Sequence, residues 1–183
     1  MAQPQLPEPA ALICGIIAGR EAWLDEAVTL LGRRLGAIDL ASDTFPFDFT
    51  DYYEPWMGPN LLRRFVFFER LIDPGDLADV KRLTNDLEAC VAGEVPRPIN
   101  LDPGTLNASH LLLASTKPYA HRIYLRDGIY AEVTLLHQHG RWVPLPWTYP
   151  DYAGPTYHAF LTAVRARYLE RRRAARTEET SRL

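Results

Sequence analysis

Little in the chain marks it for a membrane, for export or for coating nucleic acid. The strongest apolar stretch near the start, "ALICGIIAG", is nine residues long and follows no Lys or Arg. A spanning helix needs about 20 apolar residues, and a secretion signal needs a basic lead. A cytoplasmic protein is therefore expected. Basic residues are not in excess: 20 Lys and Arg face 23 Asp and Glu, for a formal charge of −3. General nucleic-acid binding, which needs a basic field to displace counterions, is not expected. The two cysteines, Cys14 and Cys90, are too few and too distant to suggest redox or metal chemistry and are read as buried reduced thiols. No G-x-x-x-x-G-K-[ST] phosphate loop, no G-x-S-x-G elbow and no Cys-His signature occurs.

What the chain does have is apolar material, 47% of 183 residues, enough for one well-buried core. Its 15 prolines and 11 glycines are dispersed as punctuation between elements. The organisation expected is a flexible lead over 1–9, a single α+β domain over 10–170 and a charged, frayed tail over 171–183. Leu12 to Ala18 reads as a buried strand. From Arg20 the period becomes helical through Leu24, Ala27, Val28, Leu31 and Leu35, with Gly36 as the stop. "RRFVFFERLI" is a strand of bulky residues. "DPGDLADVKRLTNDLEACVAG" is the clearest helix, capped by Asp73 with Pro74 in its first turn. "RPINLD" follows as a short strand ending in a turn at "DPG". The order strand, helix, strand, strand, helix, strand predicts a ferredoxin-like βαββαβ half. C-terminal antiparallel hairpins and a closing helix through Tyr157, Phe160, Leu161, Val164 and Tyr168 extend it.

The hairpin "HRIYLRDGIYAEVTLL" carries a register question. A three-residue turn at Arg126, Asp127 and Gly128 sets Leu125 opposite Ile129 and Arg122 opposite Glu132. Ile123, Leu125, Ile129, Ala131, Val133 and Leu135 then share an apolar face. Arg122, Tyr124, Tyr130, Glu132 and Thr134 share a polar one. A two-residue turn mixes the faces, and burying mixed charges is costly.

Polar turns surround that ribbon in the sequence: "NLDPG", "STKPYAHR" and "PWTYPDY". Residues 45–53, "FPFDFTDYY", add alternating phenylalanines with Asp48, Asp51, Tyr52 and Tyr53 beside them, acids whose burial would demand partners such as Arg63, Arg64, Lys117 or Arg122. Asp102, Glu132 and His121 are the candidate catalytic residues, with Asp102 and Glu132 also candidates for a divalent metal ion. Candidate ligand contacts are Asp48, Asp51, Tyr52, Lys117, Arg122, Tyr124, Trp147, Tyr149 and Asp151. Arg122 and Lys117 would hold an anion, and Tyr52, Trp147 and Tyr149 would form apolar walls. His137 and His139 have a metal-like spacing but fall in a hairpin turn expected to be solvent-exposed.

"PFDFTDYYEPWMGPNL", "INLDPGTLNASHLLLASTKPYAHRIYLRDGIYAEVTL" and "PLPWTYPDY" together resemble domain-of-unknown-function family 4416, an uncharacterised prokaryotic family, from about Leu12 to Tyr168. The resemblance implies a single-domain, bacterial-type protein and assigns no activity or catalytic residues. The reading reached is a protein binding a small anionic or nucleotide-like ligand in a polar pocket, with a metal-assisted enzyme acting on a phosphorylated substrate as its extension. The alternative is a non-enzymatic protein- or RNA-interaction module that uses an aromatic sheet surface, with "RRFVFFE" as its ring-bearing strand.

Overall fold

A computed structural model describes residues 3–180. Its centre is β1 (Ala10–Ala18), nine residues without a charge, every one buried. Such a run is stable only where both faces of a sheet are covered. After β1 come α1 (Glu21–Leu35), β2 (Ile38–Ala41), β3 (Phe45–Pro46), α2 (Glu54–Met57) and β4 (Leu62–Ile72). They are followed by α3 (Leu77–Cys90), β5 (Ile99–Leu106), β6 (His110–Ser115), β7 (Ile123–Arg126), β8 (Ile129–Gln138), β9 (Arg141–Pro144), α4 (Pro150–Ala153) and α5 (His158–Thr180). The strands form one antiparallel sheet in the order β2-β4-β1-β5-β6-β8-β7, with β3 against β4 and β9 against β8. No described helix is long and apolar enough to cross a membrane.

Alternation along β1 divides the core. Leu12, Cys14, Ile16 and Ala18 pack under α1 and α3 with Val66, Phe68, Ile99 and Leu101. Ala11 and Ile13 pack with Phe65, Phe67, Tyr157, Phe160, Leu161 and Val164 beneath α5. Phe65, Phe67 and Phe68 are fully buried, so β4 presents no aromatic sheet surface to an RNA or protein partner. α1 ends where the sequence predicts, whereas α3 starts only at Leu77, after a 3-10 turn at Pro74–Asp76, and stops at Cys90 instead of running on to Gly93. Gly36, at φ 106°, closes α1 through its N–H to Gly32 O, and Asp73 accepts from the Gly75 N–H ahead of α3. Cys14 is buried, but Cys90 is exposed, because it lies at the outer end of α3 off the apolar stripe. α5 continues through Thr180, and Arg171 ties it to the Asp39 carboxylate and the Phe68 and Glu69 carbonyls. Residues 181–183 lie outside the described residues.

The sheet parts between β5 and β6. Their pairing runs from Leu106 opposite Leu111 to Gly104 opposite Leu113 and stops. A Cβ on Gly104 would sit 2.3 Å from the Leu112 carbonyl oxygen, so only glycine admits the strands this close where they diverge. Beyond that point β5 keeps β1 on one side and has no strand on the other. α3 supplies the missing partners: Glu88 Oε1 accepts from the Leu101 N–H at 2.6 Å, and Lys81 Nζ donates to the Leu101 carbonyl at 2.7 Å. Pro103, two residues on, has no N–H to leave unpaired on that edge. The "DPG" turn expected at 102–104 is therefore a strand segment; proline fits an open edge as well as a turn.

The β7–β8 hairpin also departs from expectation. Asp127 and Gly128, both at positive φ (53° and 77°), form a two-residue turn with Arg126 opposite Ile129. A bulge at Leu125 then restores the expected pairing, Tyr124 opposite Tyr130 and Ile123 opposite Ala131. A second irregularity, at Thr134, lets Leu111 face Leu135 while Leu112 faces Val133. It moves Leu135 to the α5 side of the sheet, away from Ile129 and Ala131, which pack on Leu77 and Ala78. Ile123 and Leu125 lie on the sheet edge and are 71% and 38% exposed, so the apolar face is neither unbroken nor wholly buried.

Candidate ligand-binding site

Where β5 and β6 part, a cavity of about 690 Å³ opens. It is lined from both sides of the sheet, by α3 on one and by the 47–53 loop and α4 on the other. Its size falls within the usual range for small-molecule sites.

Arg63 forms the floor. It sits on β4 opposite Ile17 and Phe45 and is 3% exposed. Nη1 donates to Asp102 Oδ2 at 2.8 Å and Nη2 to Asp151 Oδ2 at 2.9 Å. Gly15, opposite Asp102 on β1, makes the room: a Cβ there would lie 3.0 Å from Arg63 Nη1 and 3.3 Å from the Tyr152 hydroxyl. Burial alone would push the Asp102 carboxyl up, but the Arg63 guanidinium and the Lys81 ammonium outweigh it and hold Asp102 below the usual carboxylate range. Burial raises the Tyr152 phenol well above its ordinary value, so it stays protonated as a potential donor.

Three buried polar atoms on the residues lining this cavity have no hydrogen-bond partner: Arg63 Nε, Asn100 Nδ2 and the Tyr152 hydroxyl. Asn100 Nδ2 lies near enough to Asp102 to help hold its charge yet completes no hydrogen bond. Buried donors in native proteins are nearly always paired, so three in one wall is a signal.

α3 presents Lys81, Asn85 and Glu88 at helical spacing along one wall. Burial raises the Glu88 carboxyl, and Lys81 and Arg97 offset this only in part. Arg97 Nη2 bridges Glu88 Oε2 at 2.5 Å and Asn100 Oδ1 at 2.6 Å.

Glu132 forms the opposite wall. Arg122 Nε donates to its Oε2 at 2.7 Å, His121 Nε2 lies 3.1 Å from the same oxygen, and Thr134 donates to Oε1 at 3.2 Å. Arg122 Nη1 reaches Ser115 Oγ and the Lys117 carbonyl, and Nη2 reaches the Tyr149 hydroxyl. The Tyr149 phenol is pushed up to about 12, chiefly by burial and then by Glu132. At the mouth stand Phe49, Tyr52, Tyr119 and Tyr149, each at least 39% exposed. Lys117 Nζ lies 4.2 Å from the Tyr52 ring centroid and forms no ion pair among the described residues.

The structure thus gathers Asp102, Glu132, Tyr52, Lys117, Tyr149 and Asp151 around one cavity. Arg122 and His121 stand behind Glu132 and do not line it. Trp147 stacks on His121 and donates to the Val133 carbonyl, so it supports that wall from outside. Tyr124 is exposed against Tyr130 on the outer hairpin. Asp48 and Asp51 face a separate shallow depression with Glu54 and Asn60, because the chain leaves the strand after Pro46. Among the described residues no group of three or more His, Cys, Asp or Glu side chains is placed to hold a metal ion. The Asp102 and Glu132 pair does not fit one: both Glu132 oxygens are engaged, and Asp102 is bound to a guanidinium.

Lys81, Asn85, Glu88, Arg97 and Asn100 were not singled out from the sequence. Their signal was there in the spacing of 81, 85 and 88, a polar stripe beside the apolar one on a helix that has to be packed on that side.

The family whose sequence model matches the chain, over residues 8–168, is described as Domain of unknown function (DUF4416). No curated protein and no solved structure matches.

Proposed function

The chain belongs to the DUF4416 family, and from that premise we propose that it binds a small anionic, nucleotide-like ligand in the cavity between β5 and β6. The observation that carries this reading is the set of three buried, unpartnered donors on residues that line the cavity. A ligand bringing acceptors removes that deficit. The aromatic rings at the mouth suit a planar group, and Lys117 supplies a cation uncommitted to any carboxylate. We read the β2-β4-β1-β5 order with α1 and α3 as the ferredoxin-like half of the domain, and β6 to β9 as the extension that makes the second wall.

The test is isothermal titration calorimetry and thermal shift of the full chain with nucleoside monophosphates, ribose 5-phosphate and inorganic phosphate. A rise in melting temperature with at least one nucleotide, abolished by Lys117→Ala together with Tyr152→Phe, is expected. Absence of any binding or shift across the panel overturns the reading.

A further inference from the structure

We infer that the ligand enters ring first: the cavity floor takes a neutral, carbonyl-rich edge of a flat heterocycle, and Lys117 at the mouth takes the phosphate. This rests on the nucleotide-like reading above and goes beyond it in naming the end that is buried and the class of ring.

The charges fix the direction. At the floor Arg63 is shared by two carboxylates, Asp102 at 2.8 Å and Asp151 at 2.9 Å, and both are among the lining residues. Lys81 is the other cation beside Asp102, so two cations already balance two carboxylates there and a phosphate would add an unbalanced negative charge. At the mouth, Lys117 has no carboxylate partner and an aromatic ring 4.2 Å below its ammonium. The anion therefore belongs outside and the neutral end inside.

The hydrogen-bond inventory fixes the chemistry of the inner end. Arg63 Nε and Asn100 Nδ2 can only donate, and the Tyr152 hydroxyl, kept protonated by burial, has a hydrogen to give. Against these the floor offers Asp102, which spends one oxygen on Arg63 and retains the other as an acceptor. The deficit is in acceptors. A ring edge with two carbonyls flanking an N–H, or one carbonyl beside an N–H, supplies acceptors to the amide and phenol and a single donor to Asp102. Exchanging the ring carbonyl for an amino group reverses the edge, because the neighbouring N–H becomes a bare ring nitrogen: an amine then meets donors that are already unpaired, and a ring lone pair meets the Asp102 carboxylate. Phe47, Tyr53 and Tyr152 wall the space in which the ring would lie.

Calorimetry of the full chain with two matched pairs, UMP against CMP and IMP against AMP, tests this. Each pair holds the phosphate constant and changes a carbonyl with its neighbouring N–H to an amine with a bare ring nitrogen. UMP and IMP are expected to bind at least tenfold tighter than their partners. Tyr152→Phe, which deletes a hydroxyl without a partner, narrows that ratio. Lys117→Ala weakens all four ligands by a similar factor and leaves the ratio intact, and uridine without its phosphate binds the parent and Lys117→Ala alike. Affinities within twofold in each pair, or a preference for the amines, overturn the inference while the nucleotide-like reading stands. No binding of any nucleotide overturns both.

Discussion

Two arginines are buried beside the same cavity, and their donors end differently. Arg122 spends Nε on Glu132, Nη1 on Ser115 and the Lys117 carbonyl, and Nη2 on Tyr149. Every nitrogen of that guanidinium has a partner, and the partners come from three separate stretches of chain. Arg63 binds Asp102 and Asp151, but its Nε completes no hydrogen bond, with the Tyr157 hydroxyl nearby equally unpartnered, and neither do Asn100 Nδ2 and the Tyr152 hydroxyl in the same cavity lining. A satisfied buried network specifies a structure, whereas a partly satisfied one is a cost that a ligand can relieve. Arg122 thus clamps β7, β8 and the 115–119 loop into a wall, and Arg63 is a floor with capacity left. Both are embedded ion pairs, yet only the second is built to take something more.

The largest test of that contrast is Arg122→Ala. It leaves the Glu132 carboxylate buried with only His121 and Thr134, and breaking a buried pair this way costs about 3–5 kcal/mol. Urea unfolding should show the loss, and replacing Arg122 and Glu132 together by methionine and leucine should recover most of it. A cost under about 1 kcal/mol would mean that Arg122 is no clamp.

Arg63→Gln comes next, at about 3 kcal/mol near pH 7, and its signature is in the pH dependence. In the parent chain Asp102 is held below its usual value, so its contribution is fully present above about pH 4 and is lost as pH falls through the lower, folded value. Without the guanidinium, burial dominates and the carboxyl rises. The sign then reverses: stability is greatest in acid and falls as pH rises through the raised folded value. Parallel stability profiles for parent and variant between pH 3 and 8 would remove Arg63 as the cause of the shift.

The same contrast shows how far the sequence could be read. β1, α1, β4, α3 and α5 were legible because each has an unbroken apolar run or one clear helical period, with an ordinary stop in the case of Gly36 after Leu35. The hairpin pairing from Tyr124 inward was legible too, since it separates Arg122 and Glu132 from Ile129 and Ala131. The turn itself was not, because a bulge at Leu125 reaches the same pairing from a two-residue turn. The bulge at Thr134, which sends Leu135 to the other side, leaves no mark in composition. At the site, Arg122 drew attention as an anion holder because it stands in a polar stretch. Arg63, inside a run of phenylalanines, looked like one end of a strand. Its role appears only when Asp102 and Asp151, 39 and 88 residues away, converge on it. Strand "INLDPGTL" was cut short for a related reason: what suits Pro103 there is the absence of a neighbouring strand, a fact of the whole sheet.

Smaller effects sharpen the comparison further. Tyr149 and Tyr152 are neighbouring phenols, one bonded to Arg122 and one without a partner. Tyr149→Phe should cost about 1 kcal/mol or somewhat more, the worth of a hydrogen bond to a charged group. Tyr152→Phe should be neutral or slightly stabilising, since it removes a buried hydroxyl that nothing satisfies. Equal losses in urea unfolding for the two would show that the Tyr152 hydroxyl is paired in solution, by water or otherwise, and the floor would lose one of its three free donors.

The smallest effect on the fold is expected from Lys117→Ala. Its ammonium has no ion pair, and its one charge-specific contact is the Tyr52 ring, so stability should change by no more than about 0.5 kcal/mol. Its backbone is a different matter: the Lys117 carbonyl accepts from Arg122, and that bond survives the substitution. The clamp therefore stays intact while the cavity mouth loses its free cation. Removing a cation that holds a phosphate should lower nucleotide affinity and flatten its dependence on salt, because screening acts on an exposed charge pair. Measured at two ionic strengths, an unchanged affinity in a variant of unchanged stability would place the anion elsewhere in the cavity, against Arg97 or Lys81.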